Sequence, residues 1–547
     1  MSSFSFNPMN RRVFLKASAL WATAAALNVP ALTPAAAQRP KEGEYDAIVI
    51  GAGLGGLAFA GYMAKQGFKV LVLEHHDVPG GYATTFTRDR GRFTFDVSLH
   101  QTALGGAGKA ILTDLEVLKK VRFYKCRELF RVLGTGLDIA CPGGDPKAIE
   151  QILIEKFPQE KKAVQAFMAD AVGVSEETEK LFEEGALTTF KKALFPLRFP
   201  RLWAARKKTL ADYLNEYTTN PSLRSVMSVF CGYYGLPPSK LSGFYYMTAT
   251  GGYFRYGGSY PAGGSQAISN AITELIESKG GQVRFGTRVA QVLSKDGRAI
   301  GVKTSEGESL SAKAVAANCS VVRLFSDMLP GAAVPADYRQ RLGALKPSVS
   351  SFQVWLGLNK DITSIVKDSH IFLQGEQDPE KAHQYCLEGR ADKSNIGVCI
   401  YNNIAKELSP PGTSTLSITF VCGYEPWKQF EKDYFVGKKT AYHAKKKEIT
   451  ETLIRRVEEQ LIPGLKSMIA VQESATPLTN VRYTLNTAGA IYGLEQSMDN
   501  SFMTRISNRT PIKGLYLSSA WGDPGGGYTA VLLAGKRAFG LLMEDWA

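Results

Sequence analysis

The chain has 547 residues, of which 44% are hydrophobic, 10% aromatic and 21% charged, a balance that excludes disordered, collagen-like and coiled-coil proteins and allows large cores. Its 65 Lys+Arg against 51 Asp+Glu leave a formal charge of +14, which suits contact with an anionic surface such as a lipid leaflet. No recognition module accompanies that charge, so nucleic acid is not an expected partner.

Residues 1–37 are set apart from the fold as a targeting segment. Asn10-Arg11-Arg12-Val13-Phe14-Leu15-Lys16 precedes a mild apolar run, Ala17 to Val29, and then Ala35-Ala36-Ala37. The run is shorter than the roughly 20 residues of a membrane-spanning helix and is interrupted by Ser18, Thr23 and Asn28. The segment resembles a twin-arginine export signal, with Asn10 where Ser or Thr is usual, and implies a mature chain from Gln38 in the periplasm or exported beyond it.

After a polar linker, Arg39 to Glu44, the pattern is strand, turn, helix, strand: Tyr45 to Ile50, Gly51-Ala52-Gly53-Leu54-Gly55-Gly56, an Ala-rich helix to Gln66, and Lys69 to Leu73. Gly51 allows the tight turn, Gly53 lets the backbone approach a pyrophosphate, Leu54 opens the helix and Gly56 permits close helix–strand packing. Glu74, ending the second strand, is placed to accept from a ribose 2′-OH and to repel a 2′-phosphate. Pro79-Gly80-Gly81 then lets the chain run beside a bulky extended cofactor, which a simple nicotinamide domain does not need.

From about Thr113 to Tyr253 the sequence reads mainly as amphipathic helix, and from about Val349 to Val421 it alternates as strand. Within the helical part, residues 186–209 carry no acid and interleave Phe190, Phe195, Phe199, Leu202 and Trp203 with seven cations, the pattern of a segment lying at a membrane interface. Between the two parts lie a helix, Ser265 to Lys279, and strands at Val283, Val289 to Leu293 and Ile300 to Lys303. Near the C-terminus a strand, Gly514 to Ser519, enters Trp521-Gly522-Asp523-Pro524-Gly525-Gly526-Gly527 and an apolar helix from Tyr528 to Met543, repeating the design of strand, glycine loop and helix N-terminus. The seven cysteines, at 126, 141, 231, 319, 386, 399 and 422, show no Cys-x-x-Cys pair. They read as small buried hydrophobes, with a Cys126–Cys141 bridge as the alternative, and no metal site is expected.

These motifs together resemble the FAD-dependent amine oxidase superfamily, in its branch of phytoene desaturases, carotenoid isomerases and retinol saturases. The carrying residues are Asp46 to Gly56 with Glu74, Gly80-Gly81, Phe95-Asp96, Tyr260 to Gly264, Gly280-Gly281, Thr476 to Thr479, Gly489 to Gly493 and the terminal loop. The resemblance implies an α/β fold: a Rossmann-like FAD-binding domain (44–104, 259–325, 472–547) with an interleaved mixed α+β substrate domain (105–258, 326–471). It implies that Glu74 holds the adenosine ribose, Val289 contacts the adenine side, and Asp523 with Gly526 and Gly527 positions the ribityl chain and isoalloxazine. With no Cys near that loop, FAD is expected to be non-covalent.

The expected reaction is hydride exchange between flavin and a hydrophobic polyene or isoprenoid, by a desaturase, saturase or isomerase. No second GxGxxG unit is present, so electrons are expected to pass to or from an external quinone, protein, oxygen or diffusing donor. His100 and Tyr528 are the candidate catalytic residues, His100 as an acid or a flavin-facing contact, with Tyr492 and Trp521 as channel walls. The alternatives are an exported flavin amine oxidase and a flavin-binding assembly protein without turnover.

Overall fold

The computed structural model describes residues 45–134, 136–184, 194–329, 334–501 and 504–547. The expected export signal lies outside the described residues, as do 186–193 of the basic segment.

Strand Tyr45–Ile50 is buried along its whole length, as expected of an apolar run at the centre of a parallel sheet. Ile48 is paired with Leu71 on one side and Val315 on the other. Around it the first sheet runs in the order 289–295, 298–304, 309–317, 45–50, 70–73, 282–284, with Leu515–Leu517 also pairing parallel to 309–317. Helix Leu54–Lys65 leaves the first strand, and the last helix, Tyr528–Trp546, crosses it so closely that a Cβ on Gly535 would stand 2.2 Å from the Gly55 carbonyl. This is the expected Rossmann-like half of a mixed α/β fold.

The second sheet is ordered 469–475, 350–358, 414–422, 396–400, 370–373, 128–134, 137–142. All nine residues of Ser350–Leu358 are buried, and the long helix Thr440–Gln460 contributes Ile449, Leu453, Ile454 and Val457 to its core. A further core forms where helices of 149–181 and 195–254 pack on the second sheet's edge strands, through Leu129, Phe130, Val132, Leu137, Ile139 and Cys141.

Packing moves the expected domain limits. The boundary at 471/472 falls inside strand Ile469–Ala475, which pairs with Gln353–Leu358 of the second sheet. The start at 105 is too early, because Ile111, Leu112, Leu115 and Val117 are buried with the first sheet's helices. Likewise Met328, Leu329, Val334 and Leu342 belong to the other face of the first sheet rather than to the substrate domain.

The basic segment is also corrected. Phe195, Phe199 and Leu202 were expected to face lipid, but all three are buried in the helical core. Arg206 stacks 3.2 Å from the Trp203 ring centroid, Lys208 pairs with Glu216 at 2.5 Å, and Leu197 is the one large apolar residue of 194–208 that stands out, 80% exposed. All seven cysteines are free, so no Cys126–Cys141 bridge forms; burial pushes both of those thiols up to about 12.

The two sheets meet at Asp96, which is fully buried. Its Oδ1 accepts from the Leu99 and Ser98 amides (2.9 and 3.2 Å) and from Ser265 Oγ (3.0 Å). Its Oδ2 accepts from the Ser265 amide (2.8 Å) and the Tyr260 hydroxyl (3.0 Å). Trp355, from the centre of the second sheet, donates its indole N–H to the Asp96 carbonyl at 2.7 Å. Burial raises this carboxyl to about 6 in spite of those donors.

A carboxyl whose folded value is raised contributes stability that is complete below its unfolded value, about 4, and is lost as pH rises through about 6. Asp96→Asn turns an amide N–H₂ toward donors and is expected to lower stability by roughly 2–3 kcal/mol at neutral pH. It should also remove this step from the pH dependence. Thermal unfolding of both proteins between pH 4 and 7 measures both effects; an unchanged profile contradicts them.

Candidate functional site

A cavity of about 750 Å³ runs along the C-terminal ends of the first sheet's parallel strands and on between the two sheets. At one end are Glu74, Arg288 and Val289, and at its middle Gly51, Gly53, Gly80, Gly81 and the loop 519–527. Beyond them it is walled by His100, Tyr233, Tyr253, Phe372 and Tyr492. With one exception, every site residue expected from the sequence lines this one space; Gly56 lies behind the wall.

The glycine turn has the geometry that its residues dictate. Gly51 takes φ +92°, open to glycine and strained for side chains, and a Cβ there would meet the Asn318 carbonyl at 2.8 Å. A Cβ on Gly53 would meet Asn318 Nδ2 at 2.5 Å, and one on Gly56 would meet the Gly51 carbonyl at 2.3 Å. Gly80 bridges to Gly53 in parallel and donates its N–H to the Ala52 carbonyl at 2.8 Å, so the two glycine segments lie side by side. Leu54 is the first residue of the helix, whose first-turn amides have no partner within the helix and face the cavity end-on. Glu74 accepts from the Ala52 amide (2.7 Å) and the His76 amide (2.8 Å), which fixes the carboxylate at the cavity edge.

The terminal loop is held from behind by residues that carry no spacing signal. Arg505 is buried and donates to five carbonyls, those of Gly522 (3.0 Å), Ala520 (2.9 Å), Glu495 (3.0 Å), Asn500 (3.0 Å) and, at greater length, Leu494 (3.4 Å). Burial lowers it to about 10, which leaves it cationic at neutral pH. Asn508 accepts from the Asp523 amide (2.7 Å) and donates to the Asp523 carbonyl (2.8 Å). One oxygen of Asp523 is paired with Arg537, while Oδ1 is buried without a hydrogen-bond partner among the described residues. Burial pushes the Asp523 carboxyl up, opposed by Arg537 and Arg505. Gly526 passes within 2.8 Å, measured from a built Cβ, of the Tyr492 backbone, and a Cβ at Gly527 would project into open space.

These features fit FAD. Asp523 Oδ1 lacks a donor that a ribityl hydroxyl would supply, Gly527 opens onto free space, and two helix N-termini, at Leu54 and Tyr528, face the same cavity. The residues that would hold it are Gly51, Gly53, Leu54, Glu74, Gly80, Gly81, Val289, Asp523, Gly526 and Gly527, with Gly56 acting through packing.

His100 and Tyr528, the two candidate catalytic residues, share the cavity wall. His100 Nδ1 lies 3.3 Å from the Tyr233 hydroxyl and Nε2 lies 3.1 Å from Thr419 Oγ1. Desolvation, with His370 nearby, lowers this histidine to about 3, so at neutral pH it is an uncharged imidazole and the acid expected of it is not an imidazolium. The Tyr528 hydroxyl meets Ser98 Oγ at 3.2 Å, and burial holds its phenol well above the usual range. Trp521 packs into the first sheet's core while still contributing to the cavity lining, and donates its indole N–H to Asn486 Oδ1 at 3.1 Å. Sequence reasoning missed Asn318, Arg505, Asn508, Arg537, Tyr233 and Phe372. Arg505 and Asn508 stood only as polar residues in a loop before the terminal strand, and Asn318 only as the residue that ends an Ala-rich strand.

The family model described as Flavin containing amine oxidoreductase matches residues 54–538. The chain is 27% identical over 508 residues to an all-trans-retinol 13,14-reductase of Danio rerio, spanning 87% of this chain and 82% of the relative. It is 26% identical over 517 residues to a chloroplastic prolycopene isomerase of Daucus carota, spanning 90% and 79%. Among solved structures it resembles an oxidoreductase from Methanosarcina mazei with a TM-score of 0.61 at 18% identity, covering 91% of this chain and 99% of that one. It also resembles putrescine oxidase bound to putrescine, with a TM-score of 0.59 at 16% identity, covering 92% and 99%. At those identities the structures speak to the fold alone.

Gly53→Val is expected to abolish flavin retention while the circular dichroism of the fold persists, because the side chain meets Asn318 and fills the space beside the helix N-terminus. Acid precipitation of the wild-type protein should release its flavin as FAD into the supernatant. Flavin content measured by absorbance decides both; colour left in the pellet, or full retention by Gly53→Val, contradicts the site.

Proposed function

The chain belongs to the flavin containing amine oxidoreductase family and is an FAD-dependent oxidoreductase acting on a hydrophobic small molecule, and from that premise we propose that its substrate is an uncharged polyene or related isoprenoid. The observation that carries this reading is the absence of an available charge, among the described residues, in the cavity beyond the terminal loop. His100 is held neutral down to about 3 and His383 down to about 4. The carboxylate of Glu179 is occupied by the Tyr256 hydroxyl (2.7 and 2.8 Å) and by Arg255 (2.8 Å). Burial keeps the Tyr233, Tyr245, Tyr253 and Tyr492 phenols protonated.

An ammonium group entering this space would be desolvated without a carboxylate to meet it, whereas a polyene gives up only apolar hydration. The names of the two sequence relatives, a retinol reductase and a prolycopene isomerase, support the same substrate class. FAD, when bound, supplies the hydride donor or acceptor for a carbon–carbon double bond.

The chain's own part is orientation, water exclusion and proton placement. Gln353 Nε2 donates to Thr419 Oγ1 at 3.2 Å, which leaves the threonine proton for His100 Nε2. The neutral ring then carries its proton on Nδ1 and donates to the Tyr233 oxygen, so the Tyr233 O–H is free to point into the cavity. Tyr233 and Tyr528 are thus two protonated phenols on the wall, each held by a partner on its outer side.

The test mixes the holoenzyme, in oxidised and in photoreduced form, with polyenes and with primary amines in the absence of oxygen. A polyene should change the flavin's visible absorbance or itself be converted, as read by chromatography. Tyr233→Phe should slow that change about 100-fold with flavin content unaltered. Bleaching of the oxidised flavin by amines, with every polyene inert, contradicts the reading.

A further inference from the structure

On the side away from the glycine turn, the cavity is roofed by the helix Pro379–Leu387. Pro379, Ala382, His383 and Cys386, at positions i, i+3, i+4 and i+7, line the space, while Glu380, Lys381 and Gln384 face outward. The roof is anchored at its first turn, where Glu380 accepts from the Ser239 amide and hydroxyl at 2.7 Å each. At its end, the Cys386 carbonyl accepts from the Gly423 amide at 3.0 Å.

Two polar groups under this roof have no hydrogen-bond partner among the described residues. The first is the His383 ring, which lines the cavity. The second is Nδ2 of Asn395, also in the lining. The orientation of that amide is not arbitrary: its Oδ1 accepts from the Gly375 and Glu376 amides at 2.9 and 3.1 Å, which leaves Nδ2 as the free donor. Both groups belong to the same end of the second sheet: the roof's Cys386 carbonyl is bound by Gly423, just past strand Ser414–Cys422, and Asn395 immediately precedes strand Ile396–Ile400, which pairs with that strand. This end of the cavity thus presents an unpartnered donor and an imidazole able to accept or donate.

We propose that this end is a subsite for an uncharged oxygen terminus, a hydroxyl or a carbonyl, on an otherwise apolar substrate. Asn395 Nδ2 donates to the oxygen, and His383 accepts the proton of a hydroxyl or donates to a carbonyl, while the apolar chain extends past Tyr233 and Phe372 toward the terminal loop. The inference rests on the polyene reading above and deepens it. Desolvation and Lys240 hold His383 neutral down to about 4, and Lys240 itself is exposed outside the lining, so a carboxylate would find no cation in the wall of this end to pair it.

The test measures quenching of intrinsic fluorescence in the holoenzyme by three polyenes of matched length: an alcohol, the corresponding acid and a hydrocarbon. The variants are His383→Leu and Asn395→Asp, the latter keeping an oxygen for the Gly375 and Glu376 amides while removing the donor. The wild-type protein should bind the alcohol roughly five- to tenfold more tightly than the hydrocarbon and the acid, a preference the size of one or two hydrogen bonds. Each variant should lose most of that preference with hydrocarbon affinity and flavin content unchanged, which also shows that its cavity is intact. Equal binding of alcohol and hydrocarbon by the wild type, tighter binding of the acid, or a preference that survives in both variants overturns the subsite and leaves the polyene reading standing. Failure of all three to bind while FAD is retained overturns the polyene reading, and the subsite with it.

Discussion

The buried Asp96 side chain ties together the segments from which the functional cavity is made. Its carboxyl gathers the amides of Ser98 and Leu99, the start of the helix at Ser265, and the Tyr260 hydroxyl; its carbonyl takes the Trp355 indole from the second sheet. The residues that follow Asp96, Ser98 to His100, are then held in turn. Tyr401 donates to the Leu99 carbonyl at 3.1 Å, His370 donates to the His100 carbonyl at 2.8 Å, and Ser98 Oγ meets Tyr528 at 3.2 Å. A carboxyl with five donors in a dry interior is costly to bury and costlier to leave partly satisfied, so it fixes one arrangement of these segments. His100 and Tyr528 sit on the same wall because both are referred to that point.

The cavity has two chemistries because it has two kinds of wall. Where the first sheet's strands end, backbone amides, glycines and carboxylates offer donors and acceptors to a dinucleotide. Between the sheets, buried phenols and neutral imidazoles offer shape without charge. The terminal loop joins the two, and it is rigid for a reason outside the cavity: Arg505 binds five of the carbonyls that surround it, and Asn508 clamps Asp523 on both sides of its peptide. Arg505 is therefore important to the cofactor without touching the space in which the cofactor would lie.

The nucleotide half was legible because its constraints are local. A turn that needs φ +92° at Gly51, a helix that starts at Leu54 and an acid that ends the next strand all fall within thirty residues of sequence, each with a steric reason. The substrate half was not, because its wall draws on segments around residues 100, 233, 253, 372, 395 and 492, which no spacing connects. For the described part of the basic segment, 194–209, the lipid-facing reading fails for a physical reason. It weighed composition over periodicity: Phe195, Phe199 and Leu202 stand at i, i+4 and i+7, the stripe of a helix turned to a core, and that is where they are. Boundaries failed in the same way, since strand Ile469–Ala475 carries no local sign of which sheet it joins.

The central claim is that one continuous space holds FAD at its glycine end and an uncharged polyene between the sheets. Mass spectrometry of what the purified protein carries, after acid release and organic extraction from a polyene-producing host, tests it most directly. The expected result is FAD together with a neutral isoprenoid polyene. Flavin accompanied instead by a basic amine, or a folded protein that carries no flavin and takes none up, would contradict the account.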